Sequence, residues 1–130
     1  MGDYKIMAKS VLLVDDEKDA AEALKAFFDM QGIPCWVATD GNEALRVLAE
    51  QKPDLILLDV TLERGQISGF GVLQQSKKFF PSTKVIMVTG YHDESTHAKA
   101  KALGADGYLE KPLTPDKILE VLKGVADQQS

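Results

Sequence analysis

The chain of 130 residues is poor in cysteine, in positive charge and in long apolar runs. Its single cysteine, Cys35, has no partner for an internal disulfide. Its neighbours are Pro34 and Trp36, with no basic residue beside it, so a buried or half-buried thiol is expected rather than a reactive one. Asp and Glu number 20 against 15 Lys and Arg, a net charge of -5. An acidic surface suits a phosphate backbone badly, which argues against nucleic acid as the main partner. No apolar segment approaches the length of a membrane span, and the opening MGDYKIMAKS lacks the apolar centre of a secretory signal. These absences lead to the expectation of a cytoplasmic protein without a membrane partner. Internal repeats, low-complexity stretches and linkers are missing too.

What is present suits one packed domain over residues 1–130: 45% of residues are hydrophobic and 27% charged. Val11–Val14 reads as a buried strand, continuous in apolar character and branched at both ends. From Lys18 the period changes, placing Ala21, Leu24, Phe27 and Phe28 on one helical face, with Gly32 as a stop. Pro34–Ala38 reads as a second strand. Asp40 and Glu43 have the spacing of a capping box for a helix that carries Ala44, Leu45 and Leu48 and is closed by Pro53. Leu55–Leu58 is another wholly apolar run and ends on Asp59; a helix over Phe70–Phe79 follows, with Pro81 behind it. Val85–Val88 ends at Thr89 and Gly90, and Ser95–Leu103 is an alanine-rich helix stopped by Gly104. Tyr108–Leu109 belongs to a short last strand. Thr114 caps and Pro115 opens a final helix with the stripe Ile118, Leu122 and Val125, before a polar tail, Asp127–Ser130, that is expected to fray.

Five strands alternating with five helices predict an α/β fold, a doubly wound parallel sheet covered on both faces. The three most apolar runs belong inside the sheet and the mixed Pro34–Ala38 at an edge. In such a sheet the carboxyl ends of the strands share one side, where functional crevices form. Asp15 and Asp16 end the first strand there, Asp59 the third and Thr89 the fourth, while Lys111 follows the fifth. Singly, each has an ordinary reading: carboxylates cap helices, and threonine is a good strand residue. Jointly, three carboxylates against one lysine leave an excess of negative charge. Such a cluster must hold a proton or take up a divalent cation. Oxygen donors with no His or Cys among them favour magnesium or manganese over zinc.

With these residues placed, the chain resembles a response-regulator receiver domain, the phosphoacceptor module of two-component signalling, from about Ser10 to Val125. The resemblance is carried by DD at Asp15–Asp16, LILLD ending at Asp59, VTG with Thr89, and YLEKP from Tyr108 to Pro112. It implies a flavodoxin-like sheet with strand order 2-1-3-4-5. It implies that Asp59 takes a phosphoryl group from the phosphohistidine of a histidine kinase or histidine phosphotransfer protein. Asp16, Asp59 and the Thr61 carbonyl would hold magnesium, with manganese as a substitute, and Asp15 would act mostly through water. Lys111 would pair with the phosphoryl oxygens, Thr89 would donate its hydroxyl to one of them, and Gly90 would leave the approach open. The Lys111–Pro112 bond is expected to be cis. Thr89 and Tyr108 match the family's switch pair, acting on the face of the fourth helix, fifth strand and fifth helix. That face would meet an unknown output protein or domain, or a second copy in a phosphorylation-dependent dimer. Thr61 and Tyr91 match positions that tune the lifetime of the phosphoryl group; neither offers a carboxylate or amide to orient water, so slow loss is expected. A module of this kind is a signalling phosphoacceptor rather than an enzyme.

The segment after the acceptor departs from the family pattern D-x-x-M-P-x-x-D-G. In DVTLERGQISGF, Glu63 stands at the proline position, Ser68 at the second acidic one, and Gly69 comes two places late, with Gly65 expected to loosen the loop. His92 and His97 are expected to be solvated, Trp36 to pack on the edge strand, and Lys77 and Lys78 to form an exposed helix face. Rival readings fit less well. A flavodoxin-like cofactor binder would need a Gly/Ser/Thr phosphate loop where Asp15-Asp16-Glu17 stands. An aspartyl-phosphate phosphatase usually carries an acid at the Thr61 place. An interaction module that is never phosphorylated would have lost Asp59, Lys111 or the acidic pair.

Overall fold

The computed structural model describes residues 10–62, 66–91 and 93–129, with side chains as far as residue 124. The expectations for Glu63, Gly65, His92 and the Val125 side chain lie outside that description. Along the chain run β1 (Val11–Val14), α1 (Lys18–Met30), β2 (Cys35–Ala38), α2 (Gly41–Gln51) and β3 (Leu55–Asp59). They are followed by α3 (Gly69–Phe79), β4 (Lys84–Thr89), α4 (Glu94–Ala102), β5 (Gly107–Glu110) and α5 (Pro115–Gln129). All neighbouring strands pair in parallel in the order β2-β1-β3-β4-β5, the doubly wound arrangement expected.

The helix ends follow from a few residues. Asp40 accepts from the Glu43 N–H at 2.8 Å, and Glu43 reaches back to the Thr39 N–H at 3.0 Å, so the box closes one residue further out than the spacing alone predicts. Thr114 accepts from the Lys117 N–H at 3.3 Å at the start of α5. Gly32 (φ 74°) and Gly104 (φ 95°) end α1 and α4 in left-handed geometry. The N–H after each glycine reaches back five residues, Ile33 to Phe28 and Ala105 to Ala100, each at 3.0 Å. No Gly or Pro interrupts the chain beyond Gly124, and α5 continues through Gln129. The expected frayed tail from Asp127 is therefore helical almost to its end.

Strand alternation divides the core in two. Leu12, Val14, Ile56, Leu58, Val85 and Met87 face α2, α3 and α4. Val11, Leu13, Leu55, Leu57, Ile86 and Val88 face α1 and α5, where Phe28, Ile118 and Leu122 complete the packing. Both faces of β1, β3 and β4 are thus buried, which is why those strands read as unbroken apolar runs. Trp36, on edge strand β2, packs partly buried against the first cluster.

One expectation about the surface is overturned. Lys78 is exposed, but Lys77 turns inward and its Nζ lies 2.7 Å from Asp106 Oδ2. That oxygen also accepts from the Val85 N–H at 2.8 Å. Asp106 is mostly shielded where β4 begins, and a carboxylate there needs a cation as well as an amide. Lys77 supplies it and ties α3 to the approach to β5. Among the described residues no helix is long and apolar enough to cross a membrane.

Cys35 is buried in the second cluster. Burial pushes its thiol up to about 12 from 9.0, only partly offset by the charge of Lys25. The native thiol should therefore stay unreactive toward a disulfide reagent at pH 8 and react only on unfolding. Between pH 9.0 and about 12 the unfolded chain gives up this proton while the folded chain keeps it, so stability should fall with rising pH. Rapid labelling of the folded protein at pH 8 would contradict this.

Candidate functional site

The parallel register gathers the polar residues. Val14 pairs with Ala38 and Leu58, so Asp15 and Asp59 follow side by side at the carboxyl edge. One carboxylate oxygen from each of Asp15, Asp16 and Asp59 lies within 4.8 Å of the other two. Asp59 is 3% exposed. Asp15 does not cap α1, whose N-cap is Glu17: its Oδ1 accepts from the Glu17 N–H at 2.9 Å in the turn before the helix, and its Oδ2 accepts from Lys111.

Lys111 reaches the cluster from beyond β5. Its backbone N–H donates to the Thr89 carbonyl at 2.7 Å, extending the β4–β5 pairing, and the Lys111–Pro112 bond is cis as expected. Its Nζ then lies 3.1 Å from Asp15 Oδ2 and 3.2 Å from Asp59 Oδ2. Burial disfavours the ammonium, but the charge of Asp59 and the hydrogen bond and charge of Asp15 outweigh it, so the Lys111 pKa is raised. The lysine bonds to two of the three carboxylates; Asp16 has no cation of its own among the described residues.

The two threonines are both committed. Thr89 is 2% exposed, and its hydroxyl donates to the Tyr91 carbonyl at 2.7 Å while accepting from the Tyr91 N–H at 3.1 Å. Thr61 gives Asp59 Oδ1 two hydrogen bonds, from its N–H at 2.8 Å and from its hydroxyl at 2.7 Å. Sequence reasoning looked to the Thr61 carbonyl and missed the hydroxyl. The spacing Asp-x-Thr was the available signal, because a carboxylate readily accepts from the residue two places on. Tyr91 is 79% exposed, and Gly90 opens onto free space. His97 is exposed as expected, yet its ring stacks on Tyr108 with centroids 4.5 Å apart and planes 17° from parallel. Tyr108 keeps its hydroxyl out of solvent and packs against the first core cluster.

Behind Asp59 the irregular loop is anchored. Ser68 caps α3 by accepting from the Gly71 N–H at 3.1 Å. A Cβ on Gly69 would come within 2.6 Å of the Asp59 carbonyl oxygen, so only glycine lets α3 start this close to Asp59. On the other side a cleft of about 450 Å³ runs between α1 and α5, with Leu24, Phe27, Pro112 and Ile118 in its walls and Asp15, Asp59 and Lys111 among its lining residues.

The donor set is all oxygen, gathered closely and in net negative charge, which suits a hard divalent cation such as magnesium. Fold and site together define a flavodoxin-like α/β domain with an acidic centre at its sheet edge. The sequence pattern of the response regulator receiver domain matches residues 11–123. A putative NtrX-like response regulator of Rickettsia bellii is 35% identical over 87% of this chain and 24% of its own length. The alkaline phosphatase synthesis transcriptional regulatory protein PhoP of Bacillus subtilis is 35% identical over 92% of this chain and 49% of its own. The crystal structure of a CheY-like receiver domain protein from Methanospirillum hungatei superposes with a TM-score of 0.86 at 30% identity, covering 94% of this chain and 96% of that one. The chain belongs to the response regulator receiver domain family of two-component signalling. It spans about a quarter to a half of the length of the two named regulators.

If the carboxylates repel as their spacing requires, Asp16→Asn removes charge without removing an ion pair among the described residues. In the presence of a chelator this variant should be more stable than the wild type by roughly 0.5–1 kcal/mol in urea unfolding. A less stable variant would show that Asp16 has a supporting role the charges do not account for.

Proposed function

We propose that the chain is a single receiver domain, with its core over about residues 10–125, in which Asp59 accepts a phosphoryl group from a partner phosphohistidine. The observation that carries this reading is Lys111 bridging Asp59 and Asp15 inside a cluster of three carboxylates. An Asp59 oxygen attacks phosphorus, the phosphorus–nitrogen bond of the phosphohistidine breaks, and the imidazole leaves with the electron pair. Asp15, Asp16, Asp59 and the Thr61 carbonyl would hold magnesium, or manganese in its place. When bound, the cation neutralises phosphoryl oxygen charge.

The protein's own groups supply the rest. Lys111 has three N–H donors and gives Asp59 and Asp15 one each, so the third can reach a phosphoryl oxygen with little travel and without release of Asp59. Phosphorylation replaces one negative charge by roughly -1.5 to -2. Thr89 must give up the Tyr91 carbonyl to donate to the new oxygens. Its departure would favour a different position of Tyr108, and with it of the α4, β5 and α5 face that we assign to the output partner or to a second copy. The chain is then a cytoplasmic phosphoacceptor that promotes its own modification rather than an enzyme with turnover.

Acetyl phosphate with magnesium should add the mass of one phosphate to the intact protein, and Asp59→Asn should abolish the gain. An unmodified wild type would favour an interaction module that works without phosphate. With Thr61 and Tyr91 offering no carboxylate or amide to position water, the phosphoryl group should persist for many minutes. A half-life of seconds in the purified protein would refute that part.

A further inference from the structure

Asp59 spends its lone pairs unevenly. Oδ1 accepts two hydrogen bonds, both from Thr61, at 2.8 Å from the N–H and 2.7 Å from the hydroxyl. Oδ2 accepts from Lys111 at 3.2 Å. A carboxylate oxygen has two lone-pair sites, so Oδ1 is saturated and Oδ2 has one site left. An acceptor aspartate that holds a cation and attacks phosphorus needs two. One of the three donors must let go.

The candidates are unequal. The Thr61 N–H is fixed by the turn that follows β3. Lys111 is also held by Asp15, 3.1 Å away, and its charge is wanted beside the incoming phosphoryl oxygens. The Thr61 hydroxyl alone turns about a single bond without moving backbone or charge. We propose that this hydroxyl is a latch on the phosphoacceptor: it occupies Asp59 Oδ1 and yields when a divalent cation enters. Thr61 is thus a positioning residue that sets cation affinity through its side chain, separately from its carbonyl. The inference rests on the receiver reading above.

The test is calorimetric titration of magnesium into the purified chain. Thr61→Val keeps the branched shape and the backbone N–H but removes the hydroxyl donor; Thr61→Ser restores it. The valine variant should bind magnesium about tenfold more tightly than the wild type, the worth of one hydrogen bond to a charged group. The serine variant should return to the wild-type affinity. The magnesium concentration that half-saturates labelling by acetyl phosphate should shift by the same factor. Thr61→Ala serves as a second hydroxyl-free variant should valine disturb folding, which circular dichroism and urea unfolding report. Unchanged or weaker binding in a folded hydroxyl-free variant overturns the latch and leaves the receiver reading standing. Serine behaving like valine overturns it as well, because shape rather than the donor would then govern. A wild type that binds no magnesium overturns both.

Discussion

Like charges held together against their repulsion are the constraint on which the rest depends. A pair of carboxylate oxygens within 4.8 Å repels by about 1 kcal/mol where water screens it, as at half-exposed Asp16, and by a few kcal/mol at an effective dielectric of about 20. Nothing local compels the chain to bring Asp15 and Asp59 together; they are 44 positions apart in sequence. The parallel pairing of β1 with β3 does so, because it aligns Val14 with Leu58 and leaves their successors no other place. That pairing is held by two apolar clusters, one on each face of the sheet, so hydrophobic burial sustains an unfavourable polar arrangement at the sheet's rim.

Lys111 relieves the strain only in part. Its position depends on β5 pairing with β4 and on the Lys111 N–H reaching the Thr89 carbonyl. The same short segment therefore carries Lys111 and Tyr108 and bonds the backbone of Thr89. Both threonine hydroxyls at the site are engaged, Thr61 on Asp59 and Thr89 on the Tyr91 backbone. In the proposed reaction each has to exchange its partner. The site is thus hydrogen-bonded throughout, and in the proposed reaction cation and phosphoryl group compete with bonds already made. The His97 ring laid over Tyr108 adds a contact between α4 and β5 that any movement of Tyr108 must alter.

Much of this was legible in the sequence, for physical reasons. Strands buried on both faces read as VLLV, LILL and VIMV because no solvent face dilutes them, and Gly32 and Gly104 mark helix ends because they lie at positive φ. The site was legible because parallel topology converts strand ends into neighbours. What escaped depends on side-chain direction. Lys77 and Lys78 are adjacent and alike, yet only Lys77 points toward Asp106, a carboxylate 29 residues away. The Thr61 hydroxyl was hidden by attention to its carbonyl. The stacking of His97 on Tyr108 requires knowing how α4 lies over β5, which helical periodicity does not encode, since α4 has only Ala100 fully buried.

The altered segment after Asp59 shows how a change of length can leave a site undisturbed. Leu62 is 2% exposed, and Ile67 packs against the first core cluster. The Gln66 N–H donates to Asn42 at 3.2 Å, fastening the returning chain to α2. Ser68 and Gly69 then open α3 directly against the Asp59 carbonyl. The two ends are anchored independently of what lies between Leu62 and Gln66, so added residues there need not move Asp59. Ser68, standing where an acid is usual, still supplies an oxygen to cap a helix, and Gly69, displaced by two positions, still supplies the missing Cβ. The change of length leaves the backbone that aims Asp59 with its supports on both sides.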